Sequence, residues 1–172
     1  MRILFSFLII LLLSLTSCWP SSISFVDSGS MPAEWKTFSV KTIELNAPNA
    51  PNNYASILTE SVKDGIQNNT RLLLNPKTGG GEVTIEGQVT NYSASPIALQ
   101  QGDEASKNRL QISATFTIYV SKPKEEKYTL TSTQFFDYNP LTTDFSSNES
   151  TFIEEINKKI VQDVINKLLS NW

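Results

Sequence analysis

The chain has 172 residues, of which 40% are hydrophobic and 18% charged, and its formal net charge is −3. This length fits one compact domain behind a targeting segment, and the apolar content is sufficient for a packed core. The sequence contains no histidine, which excludes Ser-His-Asp, Cys-His and histidine-zinc chemistry, and it has no basic excess that would favour nucleic acid as a partner.

The beginning of the chain has the organisation of a signal peptide. Met1 and Arg2 form a positive start, residues 3–13 are apolar except for Ser6, and small residues follow. The apolar stretch is shorter than the roughly 18 to 20 residues that a membrane-spanning helix needs. We therefore predict that residues 1–17 are a signal peptide that is removed.

The only cysteine of the chain, Cys18, follows Leu15-Thr16-Ser17, and these four residues resemble a bacterial lipobox. Small residues expose the bond before the cysteine to the peptidase, and the thiol takes up a diacylglyceryl group. Because single acyl chains anchor proteins only weakly, the two or three chains of a lipoprotein would hold it on a bilayer. We predict that Cys18 is lipidated and that residues 18–33 form a tether. Trp19 stands where similar lipoproteins carry an inner-membrane aspartate, which favours the outer membrane.

The first predicted strand covers residues 36–45, where apolar and polar residues alternate. Up to Val40 the apolar residues stand at even-numbered positions, and after it they stand at odd-numbered ones. A β-bulge near Lys41 would explain this change. Residues 46–53 are rich in Asn and Pro, so they end the strand and offer asparagines as helix caps.

Apolar residues then recur at helical spacing from Tyr54 to Ile66, which predicts the first helix. Residues 71–74 suit a short buried strand. The Gly79-Gly80-Gly81 triplet is expected to be a turn, because the Lys-Ser/Thr of a phosphate-binding loop does not follow it.

Strict alternation of apolar and polar residues predicts two half-buried strands over 82–89 and 110–120. A third stretch, 128–138, is more mixed and is predicted to be an edge strand. The final helix is expected to start at Thr151, where Thr-Phe-Ile-Glu forms a capping-box pattern ahead of a long apolar stripe.

The predicted order of elements is β-α-β-β-β-β-α, all within one domain over residues 34–172. The fold class is α+β: a two-layer sandwich in which two helices pack on one face of an antiparallel or mixed sheet of about four or five strands. The other face of the sheet is mostly Thr, Ser, Gln and Glu.

The acidic pairs of the chain do not form a recognisable catalytic or metal site. Adjacent carboxylates point apart on a strand or loop, and no calcium-loop spacing surrounds Asp103-Glu104, Glu125-Glu126 or Glu154-Glu155. The Ser and Thr residues have no histidine to act as a base, and no G-x-S-x-G motif occurs. We predict no catalytic residue, no metal site and no cofactor, and hence a protein that is not an enzyme.

Two basic groups flank the long strand: Lys107 and Arg109 at its start, and Lys122, Lys124 and Lys127 beyond its end. Either group could meet an anionic ligand, but lysines at hairpin ends and edge strands also serve solubility. We favour solubility for the second group. For Lys107 and Arg109 both interpretations remain open.

Several segments together resemble the LptE family of lipopolysaccharide-assembly lipoproteins, especially its Bacteroidota-type branch. The resemblance runs from Cys18 to Trp172 and depends on the order and spacing of the segments. They are the lipobox, Trp35-Lys36-Thr37-Phe38-Ser39-Val40, the helix over 56–68, Gly81-Glu82-Val83-Thr84-Ile85-Glu86-Gly87, Asn108-Arg109-Leu110 and the closing Asn171-Trp172.

The resemblance implies a protein anchored on the periplasmic side of the outer membrane that binds and plugs the β-barrel LptD. It also implies help in assembling that barrel and in delivering lipopolysaccharide to the outer leaflet, without catalysis. The phosphates of lipopolysaccharide would suit Lys107 and Arg109, although the net negative charge favours a mainly structural role. The alternative is a periplasmic accessory or pilotin-type lipoprotein of another transport or secretion system; an anchored hydrolase ranks last.

Overall fold

The computed structural model describes residues 31–97 and 107–170. The signal peptide, Cys18, most of the tether, the Asp103-Glu104 pair and the closing Asn171-Trp172 lie outside these described residues. The elements, in chain order, are β1 (Thr37–Val40), β2 (Glu44–Leu45), α1 (Tyr54–Asn69), β3 (Leu73–Leu74), β4 (Val83–Pro96), β5 (Asn108–Val120), β6 (Glu126–Tyr138) and α2 (Phe145–Leu169).

The strands form one six-stranded sheet with the order β3-β1-β4-β5-β6, and β2 also pairs with β4. β1 pairs in parallel with β3 and with β4, and β2 pairs in parallel with β4. β4, β5 and β6 form an antiparallel meander. Both helices pack on one face of this sheet. The predicted α+β sandwich is therefore confirmed, as is the edge position of the third alternating stretch, now β6.

The predicted bulge near Lys41 is also confirmed. Val40 pairs with Ile85, but Glu44 pairs with Gln88, so the first strand holds one residue more than its partner between the two pairs. The extra residue shifts the alternation of side chains between the two faces by one position. Ile43 is therefore buried on the same face as Val40.

The core lies between the sheet and the helices. Alternate residues of β4 and β5 point into it, and the stripe of α2 covers them. Fully burying one Leu or Ile side chain contributes about 1.5–3 kcal/mol, so this layer supplies most of the driving force for folding. Core residues with no exposed surface include Val83, Ile85, Val89, Leu110, Ile112, Phe116, Ile118, Ile156, Ile160, Val164 and Leu168.

The start of α2 was predicted wrongly. The helix begins at Phe145, well before Thr151, and its N-cap is Asp144, whose carboxylate accepts a hydrogen bond from the Ser147 amide at 2.8 Å. A contact of Phe145 also stabilises the longer helix: its ring centroid lies 5.7 Å from that of Tyr138 at the end of β6. Local capping chemistry and this tertiary contact together outweigh the later capping-box pattern.

Three smaller expectations also need correction. Asn53 occupies the N-cap of α1, but its side chain makes no capping hydrogen bond. The short strand β3 covers only Leu73–Leu74, and Leu73 is 68% exposed because it lies on the sheet edge and points away from the core. β4 continues past residue 89 to Pro96, because a bulge between Val89 and Asn91 lets the pairing with β5 resume.

The two N-caps give a matched test of capping. Replacing Asp144 by Ala removes the hydrogen bond to the Ser147 amide, so we expect the melting temperature to fall by a few degrees. Replacing Asn53 by Ala removes no such bond, and the melting temperature should stay nearly unchanged. Thermal unfolding followed by circular dichroism measures both. Equal effects of the two substitutions would contradict the assigned caps.

The contact between the helices gives a second test. A Cβ atom at Gly65 would lie 2.1 Å from Cγ1 of Val161, so Gly65 allows α1 and α2 to approach each other. Overpacking costs about 1–3 kcal/mol, whereas Ala has about 1 kcal/mol better helix propensity than Gly. We therefore expect Gly65→Ala to lower the free energy of unfolding, by up to about 2 kcal/mol, in urea titrations.

The control for this prediction is the double variant Gly65→Ala/Val161→Ala. Shortening Val161 makes room for the added methyl group, so the double variant should lose less than the sum of the two single losses. Strict additivity would show that the two residues do not compete for the same space.

Candidate interaction surface

The sheet face opposite the helices carries hydroxyl and amide side chains. In its middle the cross-strand pairs of β5 and β6 bring Ser and Thr residues together. The Oγ atom of Ser113 lies 3.0 Å from Oγ1 of Thr133, and Oγ1 of Thr115 lies 3.2 Å from Oγ1 of Thr131. We call the uncharged patch of Ser113, Thr115, Thr117, Thr129, Thr131 and Thr133 the hydroxyl field. It can both donate and accept hydrogen bonds along a flat surface.

A charged pair borders the hydroxyl field at one end. Arg109 donates from Nε to Oδ1 of Asp137 at 2.7 Å and from Nη2 to Oδ2 at 2.9 Å. The guanidinium carbon also lies 3.6 Å from the ring centroid of Phe135, which is 40% exposed. The Arg109 side chain is therefore held by its own sheet through a bidentate ion pair and a stacking contact.

The ion pair perturbs both partners. Hydrogen bonds from Arg109 hold the pKa of Asp137 below its ordinary value, and the charge of the nearby Lys107 acts in the same direction. The carboxylate in turn raises the pKa of Arg109. Both basic residues singled out in the sequence therefore act on Asp137, Arg109 through the ion pair and the exposed Lys107 through its charge alone.

A further cation was missed by sequence reasoning. Nζ of Lys159, on α2, lies 3.0 Å from the carbonyl oxygen of Phe135 and 5.7 Å from its ring centroid. Its position depends on how α2 packs against β6, which local sequence patterns do not show. The sequence offered one hint: Phe135 stands among the polar, outward-facing residues of a predicted edge strand. We call the group of Lys107, Arg109, Phe135, Asp137 and Lys159 the Arg109 cluster.

The opposite end of the sheet face contains an open depression of about 410 Å³. Tyr119 and Lys127 line it, and the lysine Nζ lies 5.4 Å from the tyrosine ring centroid. Nζ of Lys122 lies 3.6 Å from Oε1 of Glu82. Two lysines of the second basic group therefore have partners within the fold, which favours their interpretation as surface residues that serve solubility.

Within residues 31–97 and 107–170, no three His, Cys, Asp or Glu side chains are placed to hold a metal ion. In the same ranges, no helix is both long enough and apolar enough to cross a membrane. The prominent feature of the described surface is the hydroxyl field, bordered by ion pairs.

The fold and this surface define a small two-layer α+β module with an open polar sheet face. The family model of LptE, described as lipopolysaccharide-assembly, matches residues 40–168. The chain therefore belongs to the LptE family. The family is non-enzymatic, which is consistent with the prediction that the chain is not an enzyme.

Several solved structures are similar to the chain at low sequence identity, and the first of these shares the fold. The hypothetical protein CT253 from Chlamydia trachomatis is 9% identical with a TM-score of 0.56, covering 80% of this chain and 99% of that one. A minor lipoprotein from Acinetobacter baumannii is 17% identical with a TM-score of 0.48, covering 78% and 93%. Lipoprotein B from Nitrosomonas europaea is 14% identical with a TM-score of 0.47, covering 87% and 88%. No curated protein matches the sequence.

The Arg109–Asp137 pair predicts a specific acid sensitivity. Because the pKa of Asp137 is depressed in the folded state, the pair stabilises the protein above the unfolded pKa of about 3.9. That contribution is lost as the pH falls through the folded pKa. We expect Asp137→Asn to remove this part of the acid-dependent loss of stability, as measured by urea titration from pH 6 downward to about pH 2.

The partner substitution serves as the control. Arg109→Gln removes the same ion pair from the other side, so it should flatten the same part of the pH profile, and the double variant should flatten it no further. Independent, additive changes in the two single variants would contradict a coupled pair.

Proposed function

We propose that this protein binds the outer-membrane β-barrel LptD as a plug and assists barrel assembly and delivery of lipopolysaccharide to the outer leaflet. Membership in the LptE family supports this role. The observation that carries it in this chain is the hydroxyl field. The interior walls of membrane β-barrels are polar, so a plug needs a surface that exchanges hydrogen bonds with them.

The charges next to the hydroxyl field suit such a wall. Arg109 is paired with Asp137, and Lys41 is paired with Glu86. Bringing an unpaired charge against another protein is costly, whereas a paired one keeps its partner when water is displaced. The sheet face can therefore approach a polar wall without leaving these charges unpaired.

The proposed anchor places the domain near such a barrel. Lipidation of Cys18 would hold the mature chain on the periplasmic side of the outer membrane, and residues 18–33 would connect the lipid to the domain. Fully extended, a tether of this length spans at most roughly 55 Å. That reach is enough for a domain to enter a barrel in the same membrane as its lipid.

We also propose that lipopolysaccharide contacts the domain at the Arg109 cluster. Lys107 is exposed and could bind a phosphate directly. Arg109 would have to break its ion pair with Asp137 before it could bind the phosphate. The competition from Asp137 makes this contact secondary to the plug role.

The test is co-purification of the full lipoprotein with LptD after mild detergent extraction of outer membranes. We expect a stoichiometric barrel with the natural chain. Thr117→Arg/Thr131→Arg places charges in the hydroxyl field and should reduce recovered barrel by about tenfold or more. The control Gln67→Arg adds a charge on the exposed side of α1 and should leave recovery unchanged.

A Cys18→Ala variant tests the anchor separately. It should leave the outer-membrane fraction while its domain remains folded. Recovery of the natural lipoprotein without a barrel, or together with components of another transport or secretion machine, would contradict the plug role. That result would favour the accessory or pilotin-type alternative.

A further inference from the structure

A groove runs along the seam between α1 and α2 on the outer side of the helix layer. Two adjoining depressions, of about 400 Å³ and about 320 Å³, share the side chains of Ser61, Glu154 and Asn157 and so form one groove. It extends from Asn53, the N-cap of α1, to Asn69 at the end of that helix, which corresponds to about 24 Å. We call it the helix groove. It lies on the opposite side of the sandwich from the hydroxyl field.

The amide of Asn157 lies in the middle of the helix groove. The residue is 3% exposed, and its Oδ1 accepts a hydrogen bond from the hydroxyl group of Tyr54 at 2.8 Å. No described residue accepts a hydrogen bond from its Nδ2. A buried donor without a partner is costly. Because Asn157 lines both depressions, an occupant of the groove is placed to supply the missing acceptor.

Apolar side chains lie next to this amide in the larger depression. Ile57 of α1 is 41% exposed, and it lines this part of the groove together with Ile153 and Pro51. Removing apolar surface from water is favourable, so an apolar side chain placed over Ile57 would contribute to binding.

The larger depression is also acidic. Glu149 and Glu154 line it, and its described lining includes no Lys or Arg. Lys158 pairs with Glu154 at 3.1 Å. Glu149 accepts a hydrogen bond from the hydroxyl group of Tyr92 at 2.5 Å and forms no ion pair within the described part of the chain. The tyrosine thus holds a negative charge in place without neutralising it.

The spacing of these groups matches an extended peptide. Glu149, Ile153 and Asn157 are four residues apart on α2, so they follow one another in steps of about 6 Å. Alternate side chains of an extended chain lie on the same side and are separated by about 6.6 Å. A peptide along the groove can therefore place a basic side chain at Glu149, an apolar one two residues away at Ile153, and a backbone carbonyl near Asn157.

The parts of this chain that lie outside the described residues do not have the required charge. After the predicted signal peptide, residues 18–30 contain Asp27 but no Lys or Arg. Residues 98–106 contain Asp103 and Glu104 and likewise no basic residue. The charge of the groove therefore favours a segment of another protein.

We infer that the helix groove binds an extended basic segment of a partner protein, in which a Lys or Arg stands two residues from an apolar residue. Asn157 donates to a backbone carbonyl of the segment, Ile57 and Ile153 pack against its apolar side chain, and Glu149 pairs with its basic one. The site goes beyond the plug role, because it uses the helices and not the outer face of the sheet.

The test uses the full lipoprotein in detergent micelles and the acetylated, amidated peptide Gly-Ser-Lys-Ser-Leu-Ser-Lys-Ser-Gly. This peptide presents a Lys two residues from Leu in either chain direction. In nuclear magnetic resonance spectra, we expect the side-chain amide protons of Asn157 to shift saturably, because Nδ2 gains an acceptor. In calorimetric titrations, a peptide with Glu in place of both Lys residues should bind about tenfold more weakly or less.

Charge variants of α2 provide a matched pair. Glu149→Gln keeps an acceptor for Tyr92 but removes the charge, so it should weaken peptide binding by about fivefold. Glu155→Gln removes a carboxylate of the same helix that does not line the groove, so binding should stay unchanged.

A double variant tests the buried donor. Tyr54→Phe/Asn157→Leu removes both partners of the buried hydrogen bond together, so the domain should stay folded in thermal unfolding. Peptide binding should nevertheless fall by about tenfold. If this variant unfolds, the comparison of Glu149→Gln with Glu155→Gln still decides.

Several results would overturn the inference. They are unchanged Asn157 amide resonances at saturating peptide, equal binding of the peptide with Glu, or equal weakening by Glu155→Gln. A shift of these resonances on a change of detergent, without peptide, would assign the groove to an acyl chain. A shift that grows with protein concentration would assign it to a second copy of this chain. None of these readouts depends on LptD, so failure here and failure of the plug role are separable.

Discussion

The register of the β4–β5–β6 meander is the constraint on which the rest of the molecule depends. A slip of one residue would exchange the two faces of every strand, moving the apolar set into solvent and the Thr residues under the helices. The continuous pairing of β5 and β6, together with burial of Leu110, Ile112 and Phe116 beneath α2, opposes such a slip. Stability and surface chemistry therefore have one common origin.

The same alternation explains why the outer face is suited to binding. Each residue that points into the core is followed by one that points outward, and in the middle of β5 and β6 these outward residues are Ser and Thr. Threonine is a good strand former, so the hydroxyl field is compatible with a stable sheet. Two ion pairs lie on this face, Arg109 with Asp137 and Lys41 with Glu86. The result is a polar surface on which these two pairs neutralise their own charges.

The outer face of the sheet and the edge of β6 differ in chemistry. The hydroxyl field offers side-chain hydroxyl groups over a broad, flat area, which suits a polar wall. At the edge of β6, Lys159 of α2 donates a hydrogen bond to the carbonyl oxygen of Phe135 and ties the helix to the strand. Phe135 and Lys159 lie where the two surfaces meet.

The sequence by itself determined the α+β class, the alternating strands and the bulge near Lys41, because period-2 alternation and its interruption are local properties. It also singled out Lys107 and Arg109. Only the tertiary structure decided the parallel placement of β1, the start of α2 at Phe145, the capture of Arg109 by Asp137 and the arrival of Lys159 at the edge of β6. Each of these depends on which distant segments become neighbours, and that is set by packing between elements, on which local periodicity carries no information.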